Sequence, residues 1–318
     1  MTNENQQKKV SIIIPTHNRC MLLMETLLSV KKQTYANWEC IIVDDNSSDA
    51  TKMEVSKIMQ EDNRFRYLKR DFVSGAASCR NFGFNNCSGE YIQFLDDDDL
   101  ISENKLEMQV RVLNSYADQN IFTTCDWDFL WEDKLLEKKL ALNGLSEYTR
   151  VNYFNELFKS RSFIPIHTFL FHRNLLLEAG LWNEKLSLND DAEFICRVIL
   201  KSLRLINTEN CYVLYRQYAG IRISVQNDEK SFQSLLLSFK LMIKHLEEYG
   251  IQSNEYFRWK LLSALLGNWH LHKDTIKREK KLFKKIGINL AFINYYLLKK
   301  KVYNIIYPMF KKFIKTTD

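Results

Sequence analysis

Short β-branched runs alternating with helical-period segments fill the first hundred residues. Val10-Ser-Ile-Ile-Ile14 and Trp38-Glu-Cys-Ile-Ile-Val43 are nearly continuous apolar stretches that end in polar turns. Their length and composition predict buried parallel strands, because a strand covered on both faces loses the polar alternation of a half-exposed one. Between them, Met21 to Lys32 sets Leu23, Leu27 and Val30 at helical spacing. A second helix is predicted from about Asp49 to Gln60, capped by Ser48 or Asp49. Phe65 to Leu68 reads as a third strand, Ala76 to Asn86 as a third helix and Tyr91 to Leu95 as a fourth strand. A βαβαβαβ order of this kind specifies an α/β fold with a parallel sheet and right-handed crossovers.

Further along, Ile121 to Cys125 and Cys211 to Tyr215 read as strands. Asp190 to Leu200 reads as a helix that opens with acids, which suits the helix dipole. From about Ser231 the pattern is helical. Phe232, Leu235, Leu236, Phe239, Met242, Ile243 and Leu246 share one face, and Trp259 to Leu271 repeats the spacing. No internal repeat and no low-complexity linker interrupts the chain.

With 318 residues, 46% hydrophobic and 26% charged, the chain can bury a sizeable core as one large domain with an appendage, or as two domains. Seven scattered cysteines with no CxxC pair argue for reduced thiols, against a disulfide framework and against a zinc site. Residues 1–9 are polar, expected to be flexible, and lead straight into a strand, so no signal peptide is expected. Leu290 to Leu298, the longest apolar run near the C-terminus, is broken by Asn294 and too short for a bilayer. These features predict a cytoplasmic protein. The net charge of +6 is unevenly placed: Lys273 to Lys315 alone carries +11, and the remainder sums to −5. A uniformly basic chain would suggest nucleic acid; a mildly acidic body with a basic tail does not.

Ligands of open α/β sheets gather outside the carboxyl ends of the strands. Three polar turns lie at such ends: Pro15-Thr-His-Asn-Arg19, Asp44-Asp-Asn-Ser-Ser-Asp49 and Asp96-Asp-Asp-Asp99. Four adjacent carboxylates destabilise a fold unless a cation or hydrogen-bond donors absorb their charge, and hard divalent cations take such oxygen ligands. The plainer alternative is a solvated acidic loop in which Asp99 caps a helix starting near Ser102.

Val10 to Arg19, Ile41 to Asp49, Ala77-Ser-Cys-Arg-Asn81, Gly89 to Asp99 and Asn189-Asp-Asp-Ala-Glu193, in that order and spacing, resemble the family 2 inverting glycosyltransferases of GT-A fold. The resemblance covers about residues 10–225, leaving 226–318 as a helical, basic and aromatic appendage. It implies a Rossmann-like, mostly parallel sheet flanked by helices, and a nucleoside-diphosphate sugar donor, UDP-sugar favoured. By resemblance, Asp45 accepts a hydrogen bond from the base, Pro15, Thr16 and Asn18 wall the base, and Arg19 can approach the phosphates. Asp44, Ser48 and Asp49 are equally explained by turn and cap chemistry. Arg80 pairs with the diphosphate or braces the aspartates. Asp96 and Asp97 are shared between ribose and metal, and Asp98 is a ligand of Mn²⁺ or Mg²⁺, although a run of four admits a frame shifted by one residue. Asp191 takes the place of the catalytic base, with Glu193 as second candidate and helix capping as the structural alternative for Asp190 and Asp191.

One departure concerns Tyr215-Arg216-Gln217-Tyr218, which has tyrosine where the family often places a metal-binding histidine. His167 and His172 lie near the expected acceptor region and can equally be structural. Trp127, Trp131 and Trp182 can stack on sugar rings or fill the core. The lysine-and-aromatic tail packs on the catalytic domain or meets an anionic membrane surface. Together these readings imply transfer of a sugar to a hydroxyl of a surface polysaccharide or lipid-linked glycan, on the inner face of a membrane and with no nucleic-acid partner. The alternatives are an inactive nucleotide-binding scaffold and a nucleotidyltransferase, the latter disfavoured because Pro15 to Arg19 has no glycine.

Overall fold

The apolar runs form four parallel strands, β1 (Val10–Thr16), β2 (Trp38–Asp44), β3 (Phe65–Lys69) and β4 (Tyr91–Phe94). Between them run α1 (Cys20–Lys31), α2 (Thr51–Glu61) and α3 (Ala76–Asn85). The computed structural model describes residues 7–131, 134–139, 146–160, 163–217, 228–252, 256–257, 260–261 and 273–288. The chain divides into two units, Met1–Gln226 with Ser234–Ile251, and Asn227–Gln233 with Gln252–Asp318.

After β4 come β5 (Leu100–Ile101), α4 (Lys105–Asn114), β6 (Ile121–Trp131), β7 (Lys134–Lys139), β8 (Glu147–Tyr148) and α5 (Arg150–Ser160). A 3₁₀ turn (Ile166–Thr168), β9 (Leu170–His172), α6 (Arg173–Ala179), α7 (Asp190–Lys201), β10 (Arg204–Gln217) and α8 (Glu229–Glu248) follow. The main strand order is β3-β2-β1-β4-β9-β6-β10-β5, with β7 beside β6 and β8 beside β10. β1 lies parallel between β2 and β4, and β10 runs parallel to β6. β9 is antiparallel to both β4 and β6.

Both faces of the parallel strands are covered, which is why their sequences read as unbroken apolar runs. Ile12, Ile14, Cys40 and Ile42 join Leu23, Leu27 and Val30 of α1 in one core, while Ile41 and Val43 pack with Cys79 of α3 on the other face. A Cβ at Gly83 would sit 2.5 Å from Ile13 Cγ2, so α3 rests on β1 at a separation only glycine allows. That close seat fixes Arg80, one turn earlier on α3.

Several boundaries differ from the sequence expectations. Leu100 and Ile101 do not lead into a helix near Ser102; they pair with Val213 and Leu214 of β10, and α4 starts at Lys105. Asp99 therefore caps nothing and is fully buried. β6 and β10 extend well past the predicted runs, because cross-strand pairing carries polar residues such as Asp126 and Asp128 that the hydropathy pattern excludes. Helix α2 begins at Thr51, and Asp49 accepts hydrogen bonds from Thr51 N and, through its other oxygen, from Cys20 N at the start of α1 (both 3.0 Å). Leu236, Phe239, Met242, Ile243 and Leu246 of α8 are buried, as their spacing predicted. In the second unit, α9 (Lys273–Arg278) and α10 (Lys280–Lys285) bury Ile276, Leu282 and Phe283 and leave Lys277, Lys280, Lys281 and Lys284 exposed. Most of the aromatic tail, Tyr218 and the segment Trp259–Leu271 apart from Lys260 and Leu261 lie outside the described residues, as does the Trp131 side chain.

Candidate active site

The polar turns after β1, β2 and β4 are tied together at one end of the sheet. Asp45 N donates to Thr16 O (2.9 Å), and Thr16 Oγ1 donates to Asp97 Oδ2 (2.7 Å). Asn18, at positive φ, donates its N–H to Ser47 Oγ (2.9 Å) and accepts from Ser48 N (2.8 Å), so it clasps the first turn to the second. Asp45 is 5% exposed and accepts from Ser74 N and Gly75 N, each at 2.8 Å. Burial alone would raise its pKa, but these donors win and hold the carboxyl below its usual range. Gly75 adopts φ +87°, which turns its N–H toward Asp45 at the entry to α3.

Two arginines manage the aspartate run. Arg19 Nη1 contacts Asp97 Oδ1 (3.1 Å) and Asp98 Oδ2 (2.9 Å). Arg80 is buried, stacks on Trp182 (4.2 Å to the ring centroid), and bridges Asp96 Oδ1 (2.7 Å) to Asp190 Oδ2 (3.1 Å). It thus braces the end of β4 against the start of α7, the bracing role expected as one of its two alternatives. Asp99 Oδ1 accepts from Arg216 N (2.7 Å), and Arg216 Nε donates to Asp98 O (2.9 Å), so β10 closes the far side.

Six carboxyls (96–99, 190 and 191) crowd this region. Burial, then the Asp98 charge, pushes Asp97 up to about 7. Burial, then Asp190, pushes Asp191 up to about 6. Burial also raises Asp190 and Asp99. Burial opposes ionisation of Asp96 too, but the Arg80 guanidinium outweighs it and holds that carboxyl low. A field this negative favours either bound protons or a bound cation.

The residues present fit a divalent cation. Asp96, Asp99 and His167 each offer a donor atom, all within 4.8 Å of one another. Asp99 Oδ2 and both ring nitrogens of His167 are buried without a hydrogen-bond partner; the 3.1 Å approach of Nδ1 to Oδ2 lies outside hydrogen-bond geometry. Burial lowers the His167 pKa to about 4, which leaves a neutral imidazole at physiological pH.

A family model described as "Glycosyl transferase family 2" matches residues 11–179. The chain belongs to glycosyltransferase family 2. It is 30% identical over 292 residues to a Campylobacter jejuni protein, "GalNAc(5)-diNAcBac-PP-undecaprenol beta-1,3-glucosyltransferase", covering 89% of each chain. Over 104 residues, 33% of this chain, it is 43% identical to the Escherichia coli "UDP-Glc:alpha-D-GlcNAc-diphosphoundecaprenol beta-1,3-glucosyltransferase WfgD", and the match spans 40% of that relative's length. The structure of S. aureus TarS 1-349 in complex with UDP-GlcNAc superposes with a TM-score of 0.63 at 16% identity, over 89% of this chain and 77% of that one. The GT-A architecture, a mixed sheet with a mostly parallel centre flanked by helices, is thereby the fold of this family 2 chain.

Other sequence candidates have structural employment. Glu193 is buried and its carboxyl is held by Arg197 (2.8 Å), with His245 at 3.4 Å. Asp44 accepts from Ser47 N (2.7 Å) and from the Tyr67 hydroxyl. His172 is buried edge-on to Tyr91 (4.8 Å). Trp127 and Trp182 are core residues, the latter stacked on Phe194 at 4.3 Å. Residues that sequence reasoning missed include Ser234 and Ser238, one turn apart on α8. Ser234 Oγ accepts from Ser187 N (2.8 Å) and Leu188 N (3.0 Å), and Asn189 Nδ2 donates to Ser238 Oγ (2.8 Å). They anchor the loop that delivers Asp190 and Asp191, and their four-residue spacing on an otherwise apolar face was the available signal.

Proposed function

We propose that this chain transfers a hexose from a UDP-sugar to a hydroxyl of a diphosphate-lipid-linked glycan with inversion, and that Asp191 is the general base. The Arg80 clamp carries the reading: it holds the Asp190–Asp191 helix start against Asp96, just past the end of β4, so a carboxylate of raised pKa is tied to the aspartate run. The names of the C. jejuni and E. coli relatives support the lipid-linked acceptor, and the nucleotide in the TarS structure supports the donor class.

In this mechanism the acceptor O–H gives its proton to Asp191 as the oxygen attacks the anomeric carbon from the face opposite the diphosphate. The bond from that carbon to the diphosphate oxygen breaks, UDP departs with the electron pair, and an α-linked donor yields a β-linked product. Asp45 accepts from the base, Thr16 and its neighbours Pro15 and Asn18 wall it, and Asp96 and Asp97 address the ribose. Asp96 and Asp98, the ligands expected from the sequence, would hold a divalent cation, which when bound would supply positive charge for the leaving diphosphate. Arg19 adds a fixed cation on the same side. A peripheral membrane position suits a lipid-linked acceptor, and among the described residues no helix is long and apolar enough to cross a membrane.

Donor recognition is testable without an acceptor. UDP at about 100 times its Kd is expected to stabilise the fold by about 2.7 kcal/mol, read as a raised Tm, with ADP and GDP giving smaller shifts. Asp45→Ala should abolish the UDP shift. Equal stabilisation by GDP, or an undiminished UDP shift in the variant, would sink the assigned base-recognition role.

A further inference from the structure

We infer that a cavity at the amino ends of β2 and β3 is a second binding site, one for a phosphate monoester, built from Lys9, Trp38, Asn63, Arg64 and Arg66. It lies at the opposite end of the sheet from Asp45 and the aspartate run. The seven residues of β2 span the interval, so about 20 Å separates the two places. The inference goes beyond the transfer reaction and does not rest on it. The cavity measures about 330 Å³, at the lower end of the range for small-molecule sites.

Charge and donor supply select the ligand. Glu39 is the acid among the lining residues, and its carboxylate is already satisfied. It accepts from Ser11 Oγ (2.8 Å), Ser88 N (2.6 Å), Ser88 Oγ (2.9 Å) and Arg66 Nη1 (3.1 Å). Burial would raise its pKa, but the Ser88 and Ser11 donors and the Lys9 charge outweigh burial and hold the carboxyl down to about 2. Among the described residues, Arg66 uses only Nη1 on the protein, for Glu39 and for Asn86 O (3.0 Å). Its Nε and Nη2 are left for a ligand. Arg64 is fixed in place: its guanidinium lies on the Trp38 ring (3.7 Å to the centroid), and its Nε and Nη2 donate to Asp62 (3.0 and 2.7 Å). Lys9 Nζ stands 3.5 Å from Glu39. Trp38 Nε1 is buried with no hydrogen-bond partner, which is costly until an acceptor completes it. Asn63 adds an exposed amide at the rim. Three cations against Glu39 and Asp62 leave the cavity positive, and what it still offers is mainly N–H donors. Guanidinium forks match oxyanions. The donors bordering the space outnumber the two oxygens of a carboxylate and suit the three terminal oxygens of a phosphate ester.

The test follows the Trp38 indole N–H by two-dimensional ¹⁵N–¹H NMR of the full chain, with the signal assigned by its loss in Trp38→Phe. Glucose 6-phosphate is the probe, and glucose at the same concentrations is the control. Expected are a saturable shift with the phosphate and none with glucose. The Kd should rise about tenfold or more in Arg66→Gln, which loses a charged donor, and stay within about twofold in Asp45→Ala, a distant site. No saturable shift, an equal shift with glucose, or an unchanged Kd in Arg66→Gln would overturn the site. Should Arg66→Gln fail to fold, because Arg66 also supports Glu39, Lys9→Gln carries the test: an affinity lowered about threefold or more supports the site, and an unchanged one refutes it. Vesicles of equal parts phosphatidylcholine and phosphatidic acid separate the two sources of the phosphoryl group. Displacement of glucose 6-phosphate by the vesicles assigns the site to a lipid head group, and its retention assigns the site to a soluble ester. Because no nucleotide is added, a failed transferase reading would leave these results intact.

Discussion

Asp191→Asn is expected to lower kcat by about 10²–10⁴-fold, the usual contribution of a positioned general base, while UDP affinity stays within about threefold of wild type. Asparagine keeps the size of the side chain and can still accept from Ala192 N, as Asp191 Oδ1 does at 2.7 Å. What it loses is proton affinity. The wild-type kcat/KM should rise with pH through the Asp191 pKa, pushed up to about 6 by burial and by Asp190, and level off above it. Below that value the base is protonated and cannot take the acceptor proton. A bound cation lowers the limb, because positive charge nearby favours the carboxylate. In Asp191→Asn the limb vanishes. A variant with near wild-type turnover would leave the mechanism without its base, whereas lost UDP binding would point to a structural role at the start of α7.

Arg80→Ala is expected to have the largest effect on stability. The guanidinium bridges Asp96 and Asp190 and stacks on Trp182, so its removal strands two carboxylates in a region already short of positive charge. Removing one partner of a buried pair costs about 3–5 kcal/mol. Asp96 is 31% exposed and is partly rehydrated, so the lower end of that range is expected. Arg80→Lys should recover only part of the loss, since an ammonium cannot span both carboxylates in one plane or stack in the same way. The pH–rate limb should also move upward in Arg80→Ala, because Arg80 is one of the groups holding the Asp191 pKa down. Thermal melts and pH–rate profiles of both variants check these outcomes. A Tm near that of wild type would mean the clamp is incidental.

The first half of the fold was readable from sequence because strands buried on both faces must be apolar along their whole length, as in Ile12 to Ile14 and Cys40 to Val43. The same logic placed Thr16, Asp45 and the aspartate run at corresponding strand ends. It failed for β5, where two residues directly after four aspartates pair with Val213 and Leu214. No local pattern encodes that partner. Lys105 was invisible for a related reason: a lysine among Leu106, Val110 and Leu113 looks like a solvent residue on an amphipathic helix, and only Gln93 and Gln109 make its burial tolerable. His167 looked like one of two isolated histidines. Its place in the acid cluster depends on the 3₁₀ turn being lodged between β4, α4 and β10, a long-range outcome that spacing along the chain does not express.

The most direct measurement is the anomeric configuration of the first product. Purified protein, a panel of α-linked UDP-hexoses and a synthetic acceptor bearing a sugar on a lipid diphosphate are incubated, and the product is followed by proton NMR at early times. The account predicts a β-linked sugar released with one equivalent of UDP, by direct displacement at the anomeric carbon. An α-linked product, or no transfer from any UDP-hexose by a folded protein, would contradict it.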